Sequence, residues 1–418
     1  MQNYQRRIGS VRACAIAMTA AALMMSVAAC GSIVPGVSGP GEIDVRELDV
    51  GSYPTVPYHA HNDDYAPSFF YRREVAAMRL AEYTATAHDI DPRLKTGYFP
   101  YSILPGVMPD KLGRPADLEP IATRNKLVNG FMSNGSDKDF SISVGVAPYD
   151  WPKKSTADET IITSMIMQFP DAELAGRAAR EFYEADLAVD PDQNQAVPLP
   201  KYSEAHSYWH PDSPFLRTML ARGPYVVAFL LSTPGVDLNA LRTLAEKSYD
   251  KQLPLLEQAK PLSTMEMLQI PWDTGHLYSR ALNPNKSLVP SFSTRQVLVG
   301  RQGVLHLSKD RELADNRLEA MGADQFATVE STMVAHTADA ATARKIVAER
   351  RTLTPAARDA AAPANLPDSA CVENEPSKSA YKFTCIVAYH EYVGFVSDRS
   401  LADAQKKAAA QYALFANS

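Results

Sequence analysis

Val27-Ala28-Ala29-Cys30-Gly31 sets a thiol directly behind two small residues, the pattern a signal peptidase cuts before a lipid-bearing cysteine. Only sulfur among the side chains here forms the thioether to diacylglycerol, so Cys30 is the expected lipidation site. His59, His61 and Asp63 alternate along the chain, and an extended backbone would set all three on one face. Imidazole and carboxylate so placed are metal ligands; the competing reading is a polar loop with nothing bound. Cys371 and Cys385 remain once Cys14 and Cys30 are assigned to the leader and the lipid. An even pair in an oxidising compartment is expected as a disulfide, with a metal site completed by His390 and Glu391 as the rival reading. Tyr202, Tyr208, Trp209 and Phe215 cluster among histidines and prolines, lining an apolar ligand groove, forming a protein-contact patch, or packing as a loop on a sheet.

The catalytic look-alikes fail on chemistry. Asp273-Thr274-Gly275 matches the aspartic-protease triplet, but that reaction needs two carboxylates sharing a proton, and there is no second D-[ST]-G. Ser379-Ala-Tyr-Lys382 satisfies S-x-x-K without its SDN and KTG partners. His390-Glu391 lacks the second histidine of H-E-x-x-H. Asp190-Pro-Asp192-Gln-Asn194 is half a calcium loop without its glycine or closing glutamate. No cofactor is implied by any motif.

These residues need elements to hold them. Arg6, Arg7 and Arg12 followed by the apolar run Ala13–Val27 read as a secretory signal over residues 1–29, too short for a membrane span of roughly 20 residues. Residues 30–57 read as a flexible Gly/Pro/Ser tether with an extended lead-in. The formal net charge is −6, and without the leader's arginines the rest is more acidic still. With no Lys/Arg block, this balance argues against nucleic acid, which demands a basic stripe.

A repeat organises the remainder. The strand-like run around 160–169 and the alanine-rich helix 171–186 align at an offset of 168 with the runs around 326–335 and 338–351, Met165 falling on Met333 and Ala172 on Ala340. Each copy continues into a strand pair and a closing helix, YVVAFLLS before 236–250 and KFTCIVAYH with EYVGFVSD before 400–415. The expectation is an α+β protein of two tandem modules, residues 58–265 and 266–418. Each would be a mainly antiparallel sheet with helices packed on one face. STRQVLVG and GVLHLSK, split by Arg301-Gln302, read as a hairpin opening the second module.

Leu48-Asp-Val-Gly-Ser-Tyr-Pro-Thr-Val-Pro57, Met78-Arg-Leu-Ala-Glu-Tyr83, Asp91-Pro92, Gly223-Pro-Tyr-Val226, Gln252-Leu-Pro-Leu-Leu256 and Gly303-Val-Leu-His306 resemble a family of uncharacterised actinobacterial lipoproteins. The repeated unit is also similar to the extracellular sensor domain of a mycobacterial receptor serine/threonine kinase. These resemblances imply an address at the outer face of the cytoplasmic membrane or in the cell envelope, and no agreed activity. The leading expectation is a non-enzymatic binding protein. Its partners would be the membrane through Cys30, an envelope lipid or small apolar ligand, or an envelope protein. A scaffolding protein without small ligand is the alternative, and a hydrolase whose site is assembled from distant residues the third.

Overall fold

The computed structural model describes residues 43–58, 69–138, 158–211, 213–286, 288–350, 356–375 and 381–418. Cys30, His59, His61 and Asp63 lie outside them, as does Ser379. Two seven-stranded antiparallel sheets form its frame. The first joins β1 (Thr96–Ile103), β2 (Asn129–Ser136), β3 (Ile161–Gln168), β4 (Gln195–Ala196), β5 (His206–Trp209), β6 (Phe215–Arg222) and β7 (Tyr225–Ser232) in the order β1-β2-β3-β7-β6-β5-β4. The second joins β8 (Val297–Gly300), β9 (Ala323–Val329), β10 (Thr332–Thr337), β11 (Arg358–Ala360), β12 (Ser369–Glu373), β13 (Phe383–Tyr389) and β14 (Tyr392–Asp398) in the order β8-β9-β10-β14-β13-β12-β11. Strand for strand, the two orders coincide.

The helices are α1 (Phe69–Ala81), α2 (Ala87–Ile90), α3 (Pro115–Arg124), α4 (Ala172–Leu187), α5 (Leu238–Leu256), α6 (Thr264–Leu268), α7 (Leu277–Arg280), α8 (Arg301–Leu307), α9 (Arg311–Met321), α10 (Ala340–Ala348) and α11 (Leu401–Ala416). The α+β class with two antiparallel sheets holds, but the helices, expected on one face, cover both. Strands β3 and β7 are buried at all eight positions, because TIITSMIMQF and YVVAFLLS are apolar without alternation. A strand of that kind needs cover on each side. Helices α1 and α5 pack on the face carrying Ile162, Ile166, Val227 and Phe229. Helices α3 and α4 pack on the face carrying Met165, Met167, Val226 and Ala228. The second sheet has α10 on the Ile386 and Val393 face. Helix α11 lies on the other, where a Cβ at Gly394 would stand 2.5 Å from Gln411 Cγ.

The repeat reaches single side chains. Asp171 caps α4 by accepting from Leu174 N at 2.8 Å, and Asp339, 168 residues on, caps α10 by accepting from Thr342 N at 2.7 Å. Each such cap is worth about 1 kcal/mol. The closing helices α5 and α11 each carry a fully buried glutamine whose amide clamps a loop. Gln252 accepts from Ala85 N at 2.9 Å and donates to Tyr83 O at 2.8 Å. Gln411 accepts from Leu282 N at 2.8 Å and donates to Arg280 O at 2.7 Å. Each clamped loop leads toward the first strand of its own sheet.

The hairpin expected around Arg301-Gln302 is not formed. Strand β8 ends at Gly300, and GVLHL winds into α8 with Leu305 and His306 buried. A short apolar run does not distinguish strand from helix by periodicity, and tertiary packing decided it. Cys371 and Cys385 stand directly opposite in the β12–β13 ladder and are joined as a disulfide.

Candidate functional site

Strand periodicity disperses the aromatic cluster. Tyr208 and Trp209 are consecutive on β5, so they face opposite sides of the first sheet. Trp209 joins the α5 face and donates Nε1–H to Ser213 O at 2.7 Å. Tyr202 packs on that same face, its ring 5.0 Å from Tyr249 and its hydroxyl donating to Asp250 Oδ1 at 2.5 Å. Tyr208 sits on the α4 side, bonded to Asp186 and to the buried Arg217, and Phe215 is in the core of that side. The four therefore do not line one ligand groove. Asp273 is an anchor for α7, accepting from Tyr278 N at 2.7 Å and Ser279 N at 3.0 Å. No group of three His, Cys, Asp or Glu placed to hold a metal occurs among the described residues.

One nucleophile and base do meet across the chain. Ser133 Oγ lies 2.6 Å from His306 Nδ1, and His306 Nε2 lies 2.9 Å from Thr84 O. A carbonyl only accepts, so Nε2 carries the proton, Nδ1 accepts, and the Ser133 hydroxyl donates to it. Arg311 completes the network by donating to Ser133 Oγ at 3.1 Å and Asn134 O at 2.6 Å. Burial, then the Arg311 charge, lowers the His306 pKa to about 3. Ser133, His306 and Arg311 are all sealed from solvent, and their network joins α8 and α9 to β2. Gly135 lets Arg311 approach, since a Cβ there would stand 3.0 Å from Nη1.

The site open to a ligand is a cleft of 360 Å³ among α1, the end of β1 and the loop before β8. That volume falls in the range of small-molecule sites. Tyr71 and Glu74, one helical turn apart on α1, form one wall. Strand β1 slips register between Tyr98 and Tyr101, around Pro100, and delivers Tyr101 and Ser102 to the second. Bulges of this sort re-aim side chains beside functional sites. The turn that follows runs from Leu104 to Val107 through Gly106 at φ +84, a conformation that favours glycine. Glu119 on α3 holds that turn by accepting from Gly106 N at 2.8 Å and Met108 N at 2.9 Å.

The third wall is Val289, Ser291, Phe292, Ser293 and Thr294. Ser291 and Gln296 exchange backbone hydrogen bonds of 2.8 and 3.0 Å, and Gln296 Oε1 accepts from Val289 N at 2.6 Å. Phe292 is anchored on Phe131, ring centroids 5.1 Å apart. The cleft is thus preformed on rigid supports. Glu74 is the only carboxyl among the described residues on its walls and is just 7% exposed; it accepts a hydrogen bond from Ser102 Oγ. Burial raises the Glu74 pKa, with the Ser102 bond opposing in part. Among the described residues no lysine, arginine or histidine lines the cleft.

A second groove of 360 Å³ runs between Pro54–Tyr58 and Ala281, Asn283, Lys286 and Leu414, with no buried ionisable group on its walls. The sequence motifs do not single out Glu74, which follows Arg72 and Arg73 in the chain. Its signal was position: it shares the apolar stripe with Tyr71, Val75 and Met78.

The crystal structure of the extracellular domain of PknH from Mycobacterium tuberculosis is similar to this chain at 10% sequence identity and a TM-score of 0.27, over 41% of this chain and 93% of that one. No curated protein matches in sequence. A model described as the N-terminal part of a domain of unknown function, DUF7373, matches residues 63–272, and the model of its C-terminal part matches residues 277–418. This chain belongs to the DUF7373 family.

Proposed function

We propose that this protein is an exported lipoprotein of the actinobacterial type, tethered through Cys30 to the outer face of a membrane, that binds a small molecule without transforming it. In this reading residues 58–265 and 266–418 are its two modules, raised from the lipid by residues 30–57. The observation that carries the binding role is the preformed cleft of Tyr71, Glu74, Tyr101, Ser102 and Val289–Thr294, with a buried carboxyl in an otherwise uncharged wall. The sealing of the Ser133–His306 pair favours binding over hydrolysis. The cysteine pattern at 27–31 supports the tether, and among the described residues no helix is long and apolar enough to cross a membrane.

Native mass spectrometry of the full chain in detergent tests the binding role. The chain is expected to carry a noncovalent mass that disappears on denaturation. Ser293→Trp, which fills the cleft from an exposed rim position, is expected to lose that mass. A chain without bound mass, or a mass retained in Ser293→Trp, would count against the cleft as the binding site.

A further inference from the structure

Glu74 poses a charge problem. A carboxylate removed from water is tolerated when paired or well hydrogen-bonded. Among the described residues, its side-chain hydrogen bond comes from Ser102. The ionisable groups on the surrounding elements include Tyr71, Arg72, Arg73 and Arg79 on α1, Tyr101, Asp110 and Lys111 from β1 and the loop after it, and Arg295 at the end of the third wall. None of these arginines, nor Lys111, is among the described residues lining the cleft, and Arg72 is turned toward Ile270 O at 3.3 Å. Burial, with Asp110 adding to it, keeps the Tyr101 hydroxyl protonated, and Asp110 itself pairs with Lys111 at 3.6 Å.

The walls beside Glu74 are aromatic and aliphatic. Tyr71, Tyr101 and Phe292 present rings, and Leu104, Val107 and Val289 extend the apolar surface. Val107 is 44% exposed, so this surface continues to the mouth. A carboxylate within ring walls is a cation receptor: it supplies the counter-charge while the ring faces attract the same positive group. An anion would meet Glu74 with no cationic side chain among the described lining residues to compensate it. A sugar would find side-chain hydroxyls already engaged, Ser291 with Ser293 at 2.8 Å and Ser102 with Glu74.

Resting on the reading of this cleft as a ligand site, we propose that it takes an amphiphilic organic cation, an ammonium group seated on Glu74 with its apolar body against Tyr71, Tyr101 and Phe292. The ammonium replaces the missing partner of the carboxylate, and the apolar body follows the wall toward Val107.

Isothermal titration of the full chain in detergent with phenethylammonium chloride and with its neutral counterpart 2-phenylethanol tests this. The amine is expected to bind saturably at one site, and the alcohol at least about tenfold more weakly. Glu74→Gln, which keeps a partner for Ser102, is expected to lower amine affinity by about tenfold or more. Ser293→Trp is expected to abolish amine binding. Equal affinity for amine and alcohol, an unchanged Glu74→Gln, or no amine binding at millimolar concentration would overturn the cation assignment. If Glu74→Gln fails to fold, the amine–alcohol comparison on the unaltered chain still decides. A neutral or anionic mass carried by the chain and lost in Ser293→Trp would defeat the cation while leaving the cleft as the ligand site. Absence of both the mass and amine binding would defeat the two together.

Discussion

At the scale of single residues, buried polar groups define this protein more than its motifs do. His306 has its two ring nitrogens satisfied by groups that lie 173 and 222 residues away, Ser133 and Thr84. Its neutral form is held by burial, so folding pushes its pKa down from 6.5 to about 3. The sign follows directly: the unfolded chain binds the proton first as pH drops below 6.5, and the folded chain does not until about 3. Stability from neutral His306 is therefore fully present above pH 6.5 and is lost as pH falls toward 3, at up to about 1.4 kcal/mol per pH unit. Removing the imidazole also strands Ser133 and Thr84 O, each unpaired group costing about 1–3 kcal/mol. His306→Asn is thus expected to melt lower than the parent chain at pH 7.5, with the gap narrowing as pH is lowered to 5. Thermal melts across that range check it, and a gap that widens at acid pH would contradict the neutral assignment.

At the scale of elements, the two modules share strand order, helix caps and an amide clamp, so equivalent positions carry equivalent loads. Gln411 on α11 supports the loop leading to β8 as Gln252 on α5 supports the loop leading to β1. Gln411→Leu preserves volume but leaves Leu282 N and Arg280 O without partners in a buried place. Its expected cost is about 2–4 kcal/mol, from two stranded backbone groups. Gln252→Leu should cost a similar amount through Ala85 N and Tyr83 O. Chemical denaturation of the two variants measures both, and a neutral Gln411→Leu would show that the clamp is incidental to α11 packing.

At the scale of the whole molecule, the proposed lipid on Cys30 decides where any ligand is met. One acyl chain holds a protein marginally, while two or three, at about 0.8 kcal/mol per buried CH₂, hold it firmly. Cys30→Ala is expected to move the protein from the washed membrane fraction to the soluble fraction, scored by immunoblot. Retention on the membrane would mean that another part of the chain attaches it. Stability of the folded part should be unchanged, because Cys30 lies outside Val45–Ser418, which form one compact unit by their contacts.

What the sequence alone determined is what depends on neighbours along the chain. Asp171 reads as a helix start because a cap acts on amides two or three residues on. The offset of 168 between Met165 and Met333 was legible because a repeat is a linear property, and it correctly forecast two sheets of one design. What only the tertiary structure decided is what distant segments do to each other. Glu74 and Ser102 are separated by 28 residues, and Ser291 lies far beyond both, so the helical stripe turns Glu74 inward but only the fold brings it to Ser102 and the cleft. Tyr202, Tyr208, Trp209 and Phe215 looked like one cluster because they are close in sequence, yet the pleat of β5 turned Tyr208 and Trp209 to opposite faces. Sealing works the same way: Ser133 and His306 become a buried pair only when α8 packs on β2 and takes both from water.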